Sequence, residues 1–102
     1  MSDLLQKLRD RTATVGIIGL GYVGLPLGET IAQSGFAVIG FDVDARKVED
    51  LCSGRSYIHH LPPERLAPLL RCDAAEIAAG TIHPTTDFAL LPRCDAILIC
   101  VP

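Results

Sequence analysis

The sequence is poor in the features that nucleic acids and membranes require. It has no tryptophan, only two tyrosines and three phenylalanines, and a formal net charge of −3 at neutral pH. Nucleic-acid binding usually needs a basic surface, and binding of single strands also needs aromatic side chains for stacking. No apolar run approaches the roughly 20 residues that cross a bilayer, and no apolar signal core stands at the amino terminus. We therefore predict a cytoplasmic protein that binds neither nucleic acid nor membrane.

Cysteine and histidine do not fall into metal-ligand or redox patterns. The cysteines include no CxxC pair, and in a cytoplasmic protein such residues are usually reduced and packed in the interior. The adjacent His59 and His60 have no Cys, Asp or Glu nearby at ligand spacing. We expect reduced thiols, no disulfide and no metal site. The four cysteines are Cys52, Cys72, Cys94 and Cys100.

The sequence does contain a glycine turn between an apolar strand and a helix. The apolar run at residues 15–18 is typical of a strand that is buried on both faces, and residues 22–34 are predicted as an amphipathic helix. Between them, Gly19 would permit a tight turn, Gly21 the close approach of a pyrophosphate, and Gly24 close packing of the helix on the strand. The helix start also directs unpaired N–H groups toward a phosphate. This context favours a dinucleotide site, although such a turn can also pack a helix on a sheet without any ligand.

An acidic residue follows the second predicted strand. Residues 37–41 form that strand, and Asp42 comes 18 residues after Gly24, about where an acid accepts hydrogen bonds from an adenosine ribose. A carboxylate there favours a free 2′-hydroxyl and repels a 2′-phosphate, so NAD is preferred over NADP. Arg46 and Lys47 weaken this preference for NAD, because either side chain could neutralise the 2′-phosphate of NADP. If the two residues only form a solvated helix face, they would have no such effect.

Size and composition indicate one small α/β domain. The chain has 102 residues, of which 49% are hydrophobic and 21% charged. A leading helix is predicted for residues 1–13, because Leu4, Leu5 and Leu8 share one helical face. Residues 14–102 are predicted as the amino-terminal part of a dinucleotide-binding domain. The inward residues expected on the helix 22–34 are Val23, Leu27, Ile31 and Ala32.

Shorter elements follow the second strand. A helix capped by Asp44 is expected to turn Val48 and Leu51 inward. Further predictions are short helices at 64–70, 74–79 and 87–91, an edge strand at 81–83, and a central strand at 95–101. The order β-α-β-α-α-β-α-β predicts a Rossmann-like parallel sheet with strand order 3-2-1-4, truncated after the fourth strand.

The last predicted strand would leave an apolar edge. Residues 95–101 form a continuous apolar run, and a flat apolar edge strand is a site of pairing with another chain. We therefore expect the sequence to be a piece of a longer protein. We also expect a homo-oligomer in which another copy covers this edge.

Three motifs together resemble a known family. They are Ile-Gly-Leu-Gly-Tyr-Val-Gly-Leu-Pro-Leu, Gly-Phe-Asp-Val-Asp-x-x-Lys-Val and the closing Ile-Cys-Val-Pro. They are similar to the amino-terminal domain of the UDP-glucose/GDP-mannose dehydrogenases, and the similarity runs from Val15 to Pro102. The segment Ser-Tyr-Ile-His-His-Leu-Pro and residues 85–88 are more similar to the branch that oxidises UDP-N-acetylhexosamines for surface polysaccharide.

The resemblance implies a reaction and a set of cofactor contacts. Enzymes of this family oxidise the C6 alcohol of a nucleotide sugar to a carboxylate in two NAD-linked steps, through a thiohemiacetal and a thioester on a cysteine. The positions that match the family's cofactor site are Gly19, Gly21, Tyr22, Val23 and Gly24 at the pyrophosphate, and Asp42 and Lys47 at the ribose.

The sequence also departs from the family. Gly28 stands where alanine is usual, and none of the four cysteines lies in the family's nucleophile motif, so no catalytic residue is predicted here. The resemblance implies a UDP-sugar substrate for the full-length protein and no turnover by these residues alone. Two alternatives stay open: a stand-alone, non-catalytic dinucleotide-binding module, and an assembly domain whose fourth strand pairs with a partner.

Overall fold

The computed structural model describes residues 2–54 and 61–101. His59 and His60, for which no metal site was predicted, lie outside these residues. The helices are α1 (Ser2–Asp10), α2 (Gly24–Gln33), α3 (Ala45–Cys52) and α4 (Pro63–Leu66), with short 3-10 helices at Ala74–Glu76 and Phe88–Arg93. The strands are β1 (Thr14–Ile18), β2 (Ala37–Phe41), β3 (Ile82–Thr85) and β4 (Ala96–Ile99).

The four strands form one parallel sheet in the order β3-β2-β1-β4. In the centre of the sheet, Gly16 of β1 is in register with Ile39 of β2 and Ile97 of β4. The predicted fold class and strand order are confirmed. Because all strands run in the same direction, the carboxyl ends of β1, β2 and β4 meet at one edge of the sheet, where α/β proteins bind their ligands.

Helix α2 begins two residues later than predicted, and this changes its buried face. Val23 precedes the helix and is 66% exposed, so the prediction that it turns inward is wrong. The buried apolar residues of α2 are Leu25 and Ala32, whereas Leu27 and Ile31 are half-buried. A Cβ on Gly28 would lie 3.3 Å from Ile17 Cδ1 of β1, so the sheet itself approaches the helix there.

Two apolar clusters cover the sheet. One contains Ile17, Ala32, Val38 and Ile82, and so joins α2 to three strands. The other collects leucines from the glycine turn and from α2, α3 and α4, together with Leu61. These leucines are Leu20, Leu25, Leu51, Leu61 and Leu66. The second cluster fixes α3 and α4 beside the turn between β1 and α2.

The region between α3 and β4 contains less helix than predicted. Helix α4 ends at Leu66, two residues before Pro68, which has no N–H with which to continue the helical hydrogen bonds. The second predicted helix is a 3-10 turn that ends where Ile77 becomes extended. The predicted edge strand is longer than expected and runs through Pro84, which the edge position tolerates. The turn predicted at 87–91 continues through Pro92 to Arg93.

One expectation about cysteine is wrong. Cys52 and Cys72 form a disulfide with a Cα–Cα distance of 5.9 Å. They are 20 positions apart in sequence, and only the fold brings the end of α3 next to the segment before β3. Cys94 and Cys100 are free, half-buried thiols. Across residues 2–54 and 61–101, no group of three His, Cys, Asp or Glu side chains could hold a metal ion.

The leading helix is present, and it is joined to the sheet by polar contacts. Lys7 Nζ of α1 lies 2.8 Å from Asp95 Oδ1, and Asp95 Oδ2 accepts a hydrogen bond from the Thr14 amide at 2.8 Å. Leu5 and Leu8 remain exposed, so the leucine face predicted for α1 is not fully covered. Among the described helices, none is both long enough and apolar enough to cross a membrane.

Candidate functional site

The turn between β1 and α2 requires glycine at two of its three motif positions for reasons of packing. Gly19 has φ +104° and donates its N–H to Phe41 O at 2.8 Å. A Cβ there would lie 2.8 Å from Cys100 O, and a Cβ on Gly24 would overlap Gly19 O. Any larger residue at position 19 or 24 would therefore force the strand, the turn and the helix apart.

Gly21 is different, because no protein atom beyond its two chain neighbours lies within 4 Å of the Cβ position that it lacks. Its φ is not in the left-handed region, so neither the backbone conformation nor internal packing demands glycine here. The open space lies at the mouth of the turn, where a bound group could contact the main chain directly. This is the cradle expected for a pyrophosphate.

The amino terminus of α2 adds a favourable electrostatic field. Its N-cap residue, Val23, makes no side-chain hydrogen bond to the helix, and the first turn has no acidic residue. No side chain of the helix start therefore neutralises the positive end of the helix dipole, which remains available to an anion. The backbone of this segment is stabilised by the Leu25 amide, which donates to Gly21 O at 3.1 Å.

Asp42 lies at the carboxyl end of β2, and backbone amides hold its side chain in place. The residue is only 8% exposed. Its Oδ2 accepts a hydrogen bond from the Leu20 amide at 2.9 Å, and its Oδ1 accepts one from the Asp44 amide at 2.9 Å. A carboxylate oxygen has more than one acceptor site, so both oxygens can still accept a hydroxyl. The carboxylate is thus held in place at the end of β2 by two backbone amides, one of them from the glycine turn.

Lys47 is brought to Asp42 by the start of α3. The Asp44 side chain accepts a hydrogen bond from the Arg46 amide at 3.0 Å and caps this helix, as predicted. Lys47, one position further along α3, then lies with its Nζ 3.7 Å from Asp42 Oδ2. The two residues that the family resemblance places at the ribose are therefore neighbours.

A cavity of about 510 Å³ joins most of these groups. Five of the seven predicted site residues line it, whereas Gly24 is buried behind the turn and Asp42 lies beside Lys47. The lining residues that were predicted are Gly19, Gly21, Tyr22, Val23 and Lys47. Those not predicted are Ile99, Cys100 and Val101. Their position could have been inferred, because the carboxyl end of β4 must lie next to that of β1 in a parallel sheet of this order.

Neither free thiol in the described structure is arranged as a nucleophile. Burial raises the pKa of the Cys94 thiol, the nearby Asp95 carboxylate raises it further, and Arg93 opposes both effects. Its Sγ lies only 2.7 Å from where a Cβ on Gly16 would stand, so it packs on the sheet. Cys100 is half-buried against the apolar cluster around Ile17. The site can hold an anionic, ribose-containing ligand, but these residues supply no evident group for covalent chemistry.

The sheet order, the glycine turn and the acid after β2 together define a dinucleotide-binding domain of the Rossmann type. Residues 13–102 match the NAD binding domain of the UDP-glucose/GDP-mannose dehydrogenase family. The chain belongs to this family. The family and the cofactor predicted from the sequence are thereby confirmed.

Individual relatives agree with this result. The NDP-N-acetyl-D-galactosaminuronic acid dehydrogenase of Ralstonia nicotianae is 37% identical over 90 residues, which are 87% of this chain and 19% of that protein. The UDP-N-acetyl-D-mannosamine dehydrogenase of Methanococcus aeolicus is 33% identical over 86 residues, 84% of this chain and 18% of that protein. The crystal structure of a ternary complex of GDP-mannose dehydrogenase from Pseudomonas aeruginosa gives a TM-score of 0.64 at 29% identity, covering 86% of this chain and 19% of that one. The chain thus spans about a fifth of the length of the relatives that it matches.

Proposed function

We propose that this chain is the NAD-binding portion of a cytoplasmic nucleotide-sugar 6-dehydrogenase. The full-length protein would oxidise a UDP-sugar to the UDP-uronic acid in two NAD-linked steps, for surface polysaccharide synthesis, and would act as a homo-oligomer. A UDP-N-acetylhexosamine is the proposed substrate class, because two of the relatives above are named for N-acetylhexosamine derivatives. The observation that carries the proposal is the open space at Gly21, in the turn that leads into α2 and one residue after Leu20, whose amide donates to Asp42.

The glycine turn is proposed to hold the pyrophosphate of NAD. Gly21 leaves room for the phosphates to approach the main chain, and the backbone around Tyr22 and Val23 would donate N–H groups to them. Gly19 and Gly24 would act indirectly, because they allow the turn and the helix to pack closely enough to form this cradle. No side-chain cation is needed for this interaction.

Asp42 and Lys47 are proposed to bind the adenosine ribose. The Asp42 oxygens, held by the Leu20 and Asp44 amides, would accept hydrogen bonds from the two ribose hydroxyls. Lys47, beside this carboxylate, would add a second contact. A 2′-phosphate would instead meet a buried carboxylate, so NAD should bind more tightly than NADP.

NAD supplies the chemistry when bound, because its nicotinamide accepts the hydride that leaves the sugar. These residues would bind and orient the cofactor. The family's nucleophilic cysteine and catalytic lysine have no counterpart here, so we expect no turnover of a UDP-sugar by the 102-residue chain.

Calorimetric titration with NAD, and separately with NADP, tests this proposal. We expect saturable NAD binding that is at least about tenfold tighter than NADP binding. The Asp42→Ala variant should lose most of this affinity and much of the discrimination. Asp10→Ala, which removes the same charge from the exposed end of α1, is the matched control and should bind like the parent chain. Equal affinity for the two cofactors, or an Asp42→Ala variant that binds like the control, would contradict the ribose assignment.

A further inference from the structure

The disulfide between Cys52 and Cys72 lies outside the proposed cofactor site, yet it is attached to a helix that contributes to that site. Both cysteines are exposed to solvent, and both line an open cavity of about 710 Å³ that none of the proposed cofactor-site residues line. An exposed disulfide is accessible to thiolate attack, unlike one that is packed in a core.

The Cys72 end of the disulfide is fixed to the sheet. The Arg71 amide donates to Ile82 O at 2.8 Å, and the Ile82 amide donates to Leu69 O at 2.8 Å. His83 Nδ1 lies 2.7 Å from Arg71 O and must donate to it, because a carbonyl only accepts. Three hydrogen bonds therefore hold the residues before Cys72 on β3.

The Cys52 end is the last residue of α3, a helix of eight residues. A helix this short is marginal by itself, so tertiary contacts must hold it. Its fully buried apolar residue is Leu51, beside the disulfide, whereas its amino-terminal half carries the Asp44 cap and Lys47. The disulfide thus holds one end of α3 to the sheet, and the other end carries a residue of the proposed ribose site.

We propose that Cys52 and Cys72 form a reversible dithiol–disulfide couple that controls how firmly α3 is held, and through α3 the affinity for NAD. This inference rests on the proposed function in assigning the protein to the cytoplasm. In that compartment stable disulfides are rare, and those that form are usually transient or redox-sensing.

The reductant is a low-molecular-weight thiol such as glutathione. One glutathione thiolate attacks a sulfur of the pair, which gives a mixed disulfide and releases the other cysteine as a thiol after it takes up a proton. A second glutathione thiolate attacks the mixed disulfide, so that glutathione disulfide leaves and the remaining cysteine becomes a thiol. Two electrons and two protons reach the protein, and two glutathione molecules are oxidised to one disulfide.

Thiol counting tests the couple itself. The purified chain is equilibrated with millimolar glutathione at different ratios of reduced to oxidised form, alkylated, and examined by intact mass. We expect two alkylated cysteines in oxidising buffer and four in reducing buffer, with a reversible transition between them. Cys94→Ser should keep the transition, with one alkylation fewer in each state. A pair that stays oxidised in reduced glutathione, or never closes in oxidised glutathione, would overturn the proposal.

Hydrogen exchange and NAD titration of the two redox states test the consequence. Amides of α3 should exchange faster after reduction while those of β1 do not change, because only α3 loses its covalent attachment. NAD should bind about fivefold more weakly to the reduced chain, and Cys52→Ser/Cys72→Ser should match the reduced chain in any buffer. Unchanged exchange in α3 would overturn the proposal. Absence of NAD binding in both states would count against the proposed function, while thiol counting and exchange would still decide the redox couple.

Discussion

The guanidinium of Arg65 contacts both carboxylate oxygens of Glu29, a residue of α2 that is 3% exposed. Arg65 Nε donates to Glu29 Oε2 at 2.6 Å, and a second guanidinium nitrogen contacts Oε1. This two-point contact joins α4 to α2, the helix whose amino terminus faces the proposed phosphate site. It also explains how the buried face of α2 can contain an acid. The positively charged guanidinium contacts both oxygens of the Glu29 carboxylate, and these contacts replace the water that the carboxylate loses on burial.

Removal of Arg65 should destabilise the chain, because it leaves the Glu29 carboxylate buried without its partner. We expect Arg65→Ala to lower the thermal midpoint by roughly 5 °C or more. Arg65→Lys should recover only part of this loss, because an ammonium group cannot reproduce the two-point contact. Arg9→Ala, on the exposed face of α1, is the control, and the measurement is thermal unfolding by circular dichroism. Equal midpoints for Arg65→Ala and Arg9→Ala would show that the ion pair contributes little.

Gly21→Ala should separate ligand binding from folding. Apart from the two chain neighbours, nothing in the protein lies within 4 Å of the new methyl group, so the thermal midpoint should stay within about 2 °C of the parent value. The methyl group would occupy space proposed for the pyrophosphate, and NAD affinity should fall about tenfold or more. Calorimetry and thermal unfolding of the same preparation measure both effects.

Gly28→Ala is the matched control for that experiment. Its methyl group would point toward Ile17 on the sheet side of α2, away from the cavity. It should therefore change stability, with little effect on NAD affinity. If Gly21→Ala bound NAD as well as Gly28→Ala does, the phosphates would not lie at Gly21.

The arrangement of the candidate cofactor site was largely predictable because most of it is local in sequence. The turn needs glycines at fixed spacing between a strand and a helix, and parallel pairing of β1 and β2 then brings Asp42 beside that turn. The Glu29–Arg65 and Cys52–Cys72 pairs were not predictable. Each joins residues far apart in sequence, and no periodicity marks such partners before the chain is folded.

The pattern of apolar residues along the sequence also gave a wrong prediction for α2, because the buried face of a helix depends on the residue at which the helix begins. Assigning Tyr22 as the first helical residue places Val23 on the inner face, whereas a start at Gly24 leaves Val23 at the mouth of the cavity. The apolar character of Val23 is thus explained by its place in the candidate site.

Asp95 should make stability fall at acid pH. The Lys7 hydrogen bond, followed by the Thr14 amide, holds the pKa of this carboxyl below its ordinary value of 3.8. A carboxyl whose pKa is lower in the folded state stabilises the fold above its unfolded pKa and loses this effect as pH falls through the folded pKa. Asp95→Asn should therefore lower the thermal midpoint at neutral pH, by less than about 5 °C because the pair is partly exposed.

The test is the thermal midpoint of the parent chain and of Asp95→Asn between pH 2 and pH 7, a range that brackets the ordinary carboxyl pKa of 3.8. The difference between the two should shrink as the pH drops below about 4, since protonation of Asp95 makes the parent resemble the variant. Salt should reduce the difference at neutral pH, because the Lys7 side chain is exposed. A difference that stays constant with pH would mean that packing, and not charge, is what the substitution changes.

The outer edge of β4 should drive self-association of the chain. Within residues 2–54 and 61–101, β4 pairs only with β1, and it exposes Ile97 (43%) and Ile99 (71%). Unpaired backbone groups beside apolar side chains are a template for pairing with a second copy. Light scattering should therefore give a mass that rises with concentration above the 10.9 kDa of one chain.

Ile97→Lys should suppress this rise in mass, because a charge on an edge strand opposes pairing. Leu5→Lys likewise replaces an exposed apolar residue by lysine, on α1, and should leave association intact. This control distinguishes the strand edge from a general effect of apolar surface. If both variants suppressed association equally, surface hydrophobicity would account for it, and if the parent chain stayed monomeric, the apolar edge would not be a pairing site between copies.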